Sequence, residues 1–127
     1  FTIDNFRIDT YPARVDTAGP EAEARGNLKE AENVTLLVGD NAVFAKNWQF
    51  IKGAKPIRLL FIDSDHRYES VKEDITNWLP HVMQKGLVLF HDYENWEGAL
   101  PAVDELVSSG QLKKVKQEKS LLVTKKL

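Results

Sequence analysis

Two groups of acidic and imidazole side chains follow apolar stretches of this chain, at the points where strands are expected to end. Asp63, Asp65 and His66 come after IRLLFI, and His91 and Asp92 come after LVLF. Hard cations such as Mg2+ prefer carboxylate oxygens, so Asp63 and Asp92 are candidate ligands, with His91 as an additional nitrogen donor. Asp65 and His66 lie near enough in sequence to take a proton from a substrate held by the cation. These residue types and spacings indicate metal-assisted proton removal.

Each of these residues, taken alone, also has a structural interpretation. An Asp that follows a strand is a favoured N-cap or turn residue, and histidines are commonly surface or packing residues. Five ionisable groups at two strand ends are harder to explain in that way, because gathered carboxylates lower stability unless a cation or a reaction uses them. The grouping therefore favours the functional interpretation.

The elements that would position these residues can be predicted from the apolar pattern. Apolar, β-branched stretches predict strands at 1–5, 34–38, 57–63 and 87–91. Apolar residues at helical spacing predict helices at 41–52, 71–82 and 99–109, and the polar run that follows Pro20 predicts a polar helix at 20–32 with proline at its first position. The chain closes with two alternating segments joined by QEKS, which predict an antiparallel hairpin. This order predicts an α/β fold with a mainly parallel sheet and helices on both faces.

The helix between the two clusters carries several local signals. Ser70 and Glu73 match a capping box near its start. Pro80 is expected to kink its last turns, with Val82 still on its apolar face, and Gly86 is expected to end it. In a parallel sheet, ligands bind beyond the carboxyl ends of the strands. Asp4 and Asp40 also follow predicted strands, so we expect them to share one sheet edge with the two clusters.

Composition limits the classes of function. The chain has 127 residues, a formal net charge of −2 and no cysteine. This balance predicts a single soluble domain (1–127) without the basic surface that nucleic acid or an anionic membrane requires. No apolar run approaches the roughly 20 residues that span a bilayer, and no signal-type segment is present, so cytoplasm is the expected location.

The stretch FIDSDHRYESVKEDITNWLP followed by KGLVLFHDY resembles class I S-adenosylmethionine-dependent methyltransferases, in the group related to the macrocin-type O-methyltransferases. The stretch 1–6 is similar to the second strand of that family, and VTLLVGDNA is similar to its third strand. The resemblance covers nearly the whole chain. It implies a Rossmann-like fold and methyl transfer from S-adenosylmethionine, assisted by Mg2+, to a hydroxyl of a small-molecule substrate.

The resemblance also implies a cofactor site. Asp4 would hold the ribose hydroxyls, Asp40 and Asn41 would border the adenine, and Asp63 would stand among the cofactor-binding residues as well as the metal ligands. The caps and turns described above remain an alternative for Asp4 and Asp40.

For the reaction itself, the resemblance implies that Asp63 and Asp92 hold Mg2+, with His91 beside them. His66 or Asp65 would take the proton from the hydroxyl. A hydroxyl bound to a dication loses its proton more readily and can then be aligned for attack on the sulfonium methyl group.

The chain departs from the family pattern in its glycines. All seven glycines are isolated, so the glycine-rich turn near the methionine part of the cofactor is absent, as is the family's first strand. That strand would lie between the strands at Ile3 and Ile57. We therefore expect an N-terminally truncated domain with weak or absent cofactor binding, and pairing of its exposed strand edges into a homo-oligomer.

Two further functions remain open from the sequence alone. The first is a catalytically inactive, methyltransferase-like remnant that serves as a binding or assembly module. The second, which the pattern supports less, is a metal-dependent phosphohydrolase that uses the same aspartates.

Overall fold

The computed structural model describes residues 1–4, 19–63, 65, 67–94 and 99–127. These fall into two compact units, Phe1–Phe44 and Ala45–Leu127. The elements, in chain order, are β1 (Thr2–Asp4), α1 (Gly19–Leu28), β2 (Leu36–Val38), α2 (Asn41–Lys46), β3 (Ile57–Ile62), α3 (Tyr68–Trp78), β4 (Val82–Phe90), α4 (Ala99–Ser108), β5 (Leu112–Glu118) and β6 (Leu121–Lys126). Short 3-10 turns follow α2 and α3, at Trp48–Phe50 and Leu79–His81. No helix in the described ranges combines the length and apolar character that crossing a membrane requires.

The first unit contains a parallel pair of short strands. β1 pairs with β2 in the register Ile3 to Leu37, and the Thr2 amide donates to the Thr35 carbonyl at 2.9 Å. Helix α1 is a polar helix that ends earlier than the predicted 20–32. The strand order along the chain and the parallel pairing agree with the sequence prediction for this segment.

The second unit contains a four-stranded sheet in the order β3, β4, β6, β5. β3 and β4 are parallel, as expected for strands joined by a helix, whereas β6 is antiparallel to both of its neighbours. The predicted C-terminal hairpin is confirmed by the β5–β6 pair. Because β6 inserts between β4 and β5, the hairpin extends the sheet beyond β4.

The core of the second unit lies between one face of this sheet and helices α3 and α4. Buried apolar residues of both helices and of all four strands form one cluster: Ile62, Val71, Ile75, Leu79, Val82, Val88, Phe90, Tyr93, Ala102, Val103, Leu112 and Leu122. On the opposite face of β3, Leu59 and Phe61 remain 55% and 49% exposed. β3 therefore has one buried face and one half-exposed face.

The predicted helix between the two clusters starts a few residues earlier than its capping signal, as the sequence allowed, but the capping box and the predicted end are wrong. α3 begins at Tyr68 with Arg67 at the N-cap and without a side-chain cap bond, so the expected capping box does not form. After Trp78 the chain passes through a 3-10 turn that contains Pro80, and β4 begins at Val82. Proline disfavours helix in the residue before it and cannot donate to the helix, which explains the early end.

Gly86, expected to end a helix, lies inside β4 at an irregularity of the strand pairing. The register moves from Ile57 opposite Val82 to Leu59 opposite Leu87, so β4 carries extra residues at this point. Lys85 has a left-handed backbone (φ 64°). A Cβ on Gly86 would lie 2.7 Å from Cγ1 of Val82, so the glycine is required by close packing.

The four predicted parallel strands form two hydrogen-bonded ladders in the described residues, not one. β1 pairs only with β2, and β3 pairs only with β4. The family strand that is missing from the sequence was expected between Ile3 and Ile57, and each of these strands has one edge without a described partner. The strands are therefore parallel within each pair, as predicted, but the described residues form two sheets in place of the single sheet expected. The open edges agree with the strand that was expected to be missing between them.

Candidate functional site

The parallel pairing of β3 and β4 brings the two polar clusters together. Ile62 is opposite Phe90, and the His91 amide donates to the Ile62 carbonyl at 3.0 Å, so the strands end at the same level. Asp63 and His91 come directly after them. The Nδ1 atom of His91 lies 3.2 Å from Oδ1 of Asp63 and 3.2 Å from Oδ2 of Asp92. The predicted convergence of these three residues is what the geometry shows.

These three side chains offer a donor set that fits a divalent cation. One ligand atom from each of Asp63, His91 and Asp92 can be chosen so that all lie within 4.8 Å of one another. Opposite ligands of an octahedral Mg2+ stand about 4.2 Å apart, so small side-chain adjustments suffice. Nδ1 of His91 is buried and makes no hydrogen bond of good geometry in the described structure. A polar atom held between two carboxylates in this way fits a ligand position.

Exposure of the three side chains is compatible with access by a substrate. Asp63 and His91 are 47% and 42% exposed, and Asp92 is 21% exposed. Two carboxylates and one imidazole give the cluster a net negative charge when the imidazole is neutral, which attracts cations. The cluster lies at the carboxyl ends of parallel strands, the place where α/β sheets bind ligands.

The candidate base Asp65 is held by a neighbour that the sequence interpretation missed. Its carboxylate accepts hydrogen bonds from Nε of Arg67 at 2.7 Å and from the Arg67 amide at 3.0 Å, and it pairs with the other end of the guanidinium. The Arg67 side-chain hydrogen bond is the largest influence on the Asp65 pKa and lowers it. The sequence does show an Arg two residues after Asp65. It does not predict their ion pair, because two charged side chains that are separately exposed to solvent explain the same spacing. The second candidate base, His66, lies outside the described residues.

Besides Asp63, the predicted cofactor residues belong to the first unit, and their structural roles are only in part visible. Asp40 caps α2, because its Oδ1 accepts from the amides of Ala42 at 2.8 Å and Val43 at 3.4 Å. This confirms the capping alternative, and a contact with adenine is compatible with it. Asn41 is the first residue of α2, and Asp4 ends β1, with its side chain outside the described part. The shared sheet edge for Asp4 and Asp40 stays a prediction.

Another group that the sequence interpretation missed surrounds the residue after Asp92. Tyr93 is 3% exposed, and its hydroxyl lies between Asp104 of α4 and Lys114 of β5. For Asp104, burial raises the pKa, but hydrogen bonds from Lys114 and Tyr93 outweigh it, so the pKa is lowered. Only the tertiary structure brings these three residues together, so no local pattern could have identified them.

Comparison with known proteins gives a family for this chain. A family model described as a methyltransferase domain matches residues 2–93. The uncharacterized protein R132 of Acanthamoeba polyphaga mimivirus is 28% identical over 96 residues, which covers 67% of this chain and 43% of the viral protein.

Solved structures of methyltransferases share the fold. CalS11, described as a TDP-rhamnose 3'-O-methyltransferase of calicheamicin biosynthesis, superposes with a TM-score of 0.68 at 16% identity, over 97% of this chain and 57% of its own. MycE of the mycinamycin pathway, solved in complex with Mg and S-adenosylhomocysteine (SAH), gives a TM-score of 0.55 at 17% identity, over 72% of this chain and 31% of its own. This chain thus spans about half, or less, of the length of these three proteins.

These structural matches confirm the predicted Rossmann-like α/β fold class. The family match covers β1 to the end of β4 and includes Asp63, His91 and Asp92. The chain therefore belongs to the methyltransferase domain family, and its fold is that of the class I S-adenosylmethionine-dependent methyltransferases related to the macrocin-type enzymes.

Proposed function

We propose that this domain transfers a methyl group from S-adenosylmethionine to a hydroxyl of a small molecule, with a divalent cation, Mg2+ first, held by Asp63, His91 and Asp92. The observation that carries the proposal is the convergence of the three ligand atoms within 4.8 Å of one another at the ends of two parallel strands. Support comes from the family match and from the Mg and SAH bound in the MycE structure.

When bound, S-adenosylmethionine supplies an electrophilic methyl group, and the cation lowers the pKa of a hydroxyl that it contacts. Asp63 and Asp92 provide the negative charge that holds the cation, and His91 provides a nitrogen. Asp65 or His66 would take the proton of the hydroxyl that accepts the methyl group.

The two candidate bases differ in how they would work. Arg67 holds the pKa of Asp65 below its ordinary value, so that carboxylate is ionised at neutral pH but is a weak base. His66 would take the proton on an imidazole nitrogen instead. Loss of methyl transfer in His66→Gln with activity kept in Asp65→Asn would identify His66, and the reverse would identify Asp65.

We assign the cofactor contacts to Asp4, Asp40, Asn41 and Asp63, as the resemblance implies. The glycine-rich turn that normally closes one side of the cofactor site is absent from these residues. Each polar group left without a partner costs roughly 1 to 3 kcal/mol, so we expect affinity for S-adenosylmethionine in the millimolar range or none.

Thermal unfolding and calorimetry test the cation and the cofactor separately. Mg2+ at tenfold over its dissociation constant stabilises the fold by about 1.4 kcal/mol, which raises the melting temperature by several degrees. Asp92→Asn should abolish this shift while the fold is kept. Glu118→Gln, a surface carboxylate 67% exposed and paired with Lys116, is the matched control and should keep it. Identical melting of the wild type in Mg2+ and in chelator would refute the cation site.

The acceptor is tested with labelled S-adenosylmethionine and a panel of small hydroxyl compounds. Nucleotide-linked deoxysugars come first, since the structurally similar CalS11 is described as acting on TDP-rhamnose. We propose a small molecule in place of nucleic acid or a membrane as the partner, because the net charge is −2. Label transfer that disappears in Asp92→Asn would support the proposal.

A binding or assembly module without catalysis is the second candidate. It is favoured by the half-exposed Leu59 and Phe61 on a strand whose other edge has no described partner. This candidate predicts self-association without any transfer of labelled methyl groups to a hydroxyl compound. The label-transfer assay and light scattering on the same sample distinguish the two functions, because only the first function transfers methyl groups.

A further inference from the structure

The backbone of Asp92 has an unusual conformation between two anchored neighbours. Its φ is 51°, in the left-handed region that residues other than glycine rarely adopt. The His91 amide donates to the Ile62 carbonyl at 3.0 Å, and the Tyr93 amide donates to the Ser120 carbonyl at 2.9 Å. Such conformations persist where the surrounding structure holds them in place. The turn that presents Asp92 is thus tied to β3 on one side and to the β5–β6 turn on the other.

The side chain of Tyr93 provides a further tie. Its ring is buried, its hydroxyl donates to Oδ1 of Asp104 at 2.7 Å, and it accepts from Nζ of Lys114 at 2.6 Å. Lys114 also pairs with Asp104 at 2.8 Å, and its Nζ lies 4.9 Å from the centre of the Tyr93 ring. The residue next to a candidate ligand is therefore bound through one hydroxyl to both α4 and β5.

A second triad of the same chemistry occurs in the same unit. The Tyr68 hydroxyl donates to Glu105 at 2.7 Å and accepts from Lys72 at 2.6 Å, and the Lys72 Nζ lies 5.1 Å from the ring centre. This triad joins α3 to α4, and Tyr68 follows a residue with an ordinary φ of −70°. It is a matched comparison, because it makes the same bonds without adjoining a candidate cation ligand.

We propose that Tyr93 is a positioning residue of the cation site. Its buried hydroxyl, held by Asp104 and Lys114, fixes the turn so that the carboxylate of Asp92 faces His91 and Asp63. The proposal rests on the proposed function in one respect, namely that Asp92 is a cation ligand. Groups that orient metal ligands typically change metal affinity by 10- to 100-fold when removed.

The test removes a single oxygen from each triad in turn. Tyr93→Phe keeps the ring, and we expect roughly 10- to 100-fold weaker binding of Mg2+ or Mn2+, measured by calorimetry with the metal salt alone. Tyr68→Phe should bind the metal as the wild type does. Lys114→Met removes one of the two partners of the Tyr93 hydroxyl and should give a smaller loss in the same direction, which decides the matter if Tyr93→Phe does not fold.

A second readout requires no metal. A positive φ gives a strong NOE between the amide proton and Hα of the same residue, so the Asp92 signal reports its backbone directly. We expect this signal to weaken in metal-free Tyr93→Phe and to persist in Tyr68→Phe. Unchanged metal affinity and an unchanged Asp92 signal in Tyr93→Phe would overturn the proposal, as would equal losses of affinity in both variants.

The two readouts also distinguish this proposal from the proposed function. If the wild type binds neither metal, the cation site fails. The NMR comparison then decides whether Tyr93 fixes the Asp92 turn. Loss of the signal only in Tyr93→Phe supports the positioning role, and its persistence refutes that role.

Discussion

The Nδ1 atom of His91 lies 3.2 Å from Oδ1 of Asp63, although the two residues follow different strands that are joined by a helix. Parallel pairing of Ile62 with Phe90 makes this contact, because the residues that follow a paired position leave the sheet side by side. The result is a site with one nitrogen donor beside two carboxylates. Such a mixture is less suited to Mg2+ than an all-oxygen site is, so Mn2+ and Zn2+ are the cations that compete with Mg2+ here.

His91→Asp should therefore change the metal preference of the site. A third carboxylate favours Mg2+, and loss of the imidazole disfavours Zn2+, so the ratio of the two dissociation constants should move toward Mg2+. Calorimetry with each metal measures the ratio. His81→Asn is the control, since that ring packs near Trp48 and Trp78. An unchanged ratio in His91→Asp would exclude His91 as a ligand.

Asp40 is expected to have separable effects on stability and on cofactor binding. Asp40→Ala removes the cap of α2 and should destabilise the protein by about 0.5 to 2 kcal/mol. Asp40→Ser keeps a capping oxygen and should unfold nearly as the wild type does. Thermal unfolding measures the first effect. Weaker SAH binding by the stable Asp40→Ser variant would show that Asp40 also contacts the adenine. If Asp40→Ala is as stable as the wild type, Asp40 does not stabilise α2 as a cap.

Gly86→Ala should be destabilising by about 1 to 3 kcal/mol, measured by urea unfolding. The added Cβ would lie 2.7 Å from Cγ1 of Val82 and 2.9 Å from the carbonyl oxygen of Met83, so the strand must shift. Gly26→Ala is the same substitution where nothing lies within 4 Å, inside α1, and should stabilise by about 0.5 to 1 kcal/mol. A neutral Gly86→Ala would show that the packing at this irregularity relaxes freely.

The Asp104–Lys114 pair should contribute to stability at neutral pH and not in strong acid. The pKa of Asp104 is lowered in the folded state, because hydrogen bonds from Lys114 and Tyr93 outweigh burial. A lowered pKa gives stabilisation that is present above the unfolded value near 3.8 and is lost as the pH falls through the folded value.

Lys114→Met should therefore be less stable than the wild type at pH 7, and the difference should nearly vanish at pH 2. The pair is half-exposed, so solvent limits the ion-pair difference to about 1 kcal/mol. Urea unfolding at both pH values measures it. A difference that is the same at pH 7 and pH 2 would mean that the charge of Asp104 contributes nothing.

We expect the wild-type chain to self-associate, and Phe61→Lys to reduce that association. Phe61 is half-exposed on β3, whose outer edge has no partner among the described residues and can pair with another strand, and a charge on an edge strand opposes such pairing. Light scattering at several concentrations measures the mass. Phe50→Lys changes a more exposed aromatic residue, at 77%, outside the strands and should leave the mass unchanged. A wild-type monomer at all concentrations would refute the expectation.

The candidate cation site could be predicted from the sequence, because the order of strands and helices is sufficient to bring its residues together. A strand, a helix and a second strand predict a parallel pair, and Asp63 and His91 follow directly from its ends. The apolar run from Leu87 to Phe90 likewise identified the buried half of β4. In both cases the local sequence pattern is compatible with only one kind of secondary structure, so the prediction was correct.

The parts that were missed depend on contacts between distant segments. The first half of β4 was interpreted as helix because Val82 continues the helical spacing, whereas Pro80 and the pairing with β3 decide the outcome. The role of Tyr93 is set by Asp104 and Lys114, which arrive from α4 and β5. The left-handed backbone of Asp92 could not be predicted from its residue type, since Asp is also common in turns with an ordinary backbone.

The position of β6 between β4 and β5 has a consequence for synthesis on the ribosome. β4 is made well before β6, so the edge that β6 later covers stays open while α4 and β5 are translated. Lys126, at the end of β6, donates to the carbonyl oxygens of Leu79 and Val82 at 2.8 and 2.7 Å, which ties the last strand to the start of β4. The sheet of the second unit is therefore completed only when β6 inserts between β4 and β5. Until β6 has left the ribosome, the open edge of β4 can pair with strands of neighbouring chains.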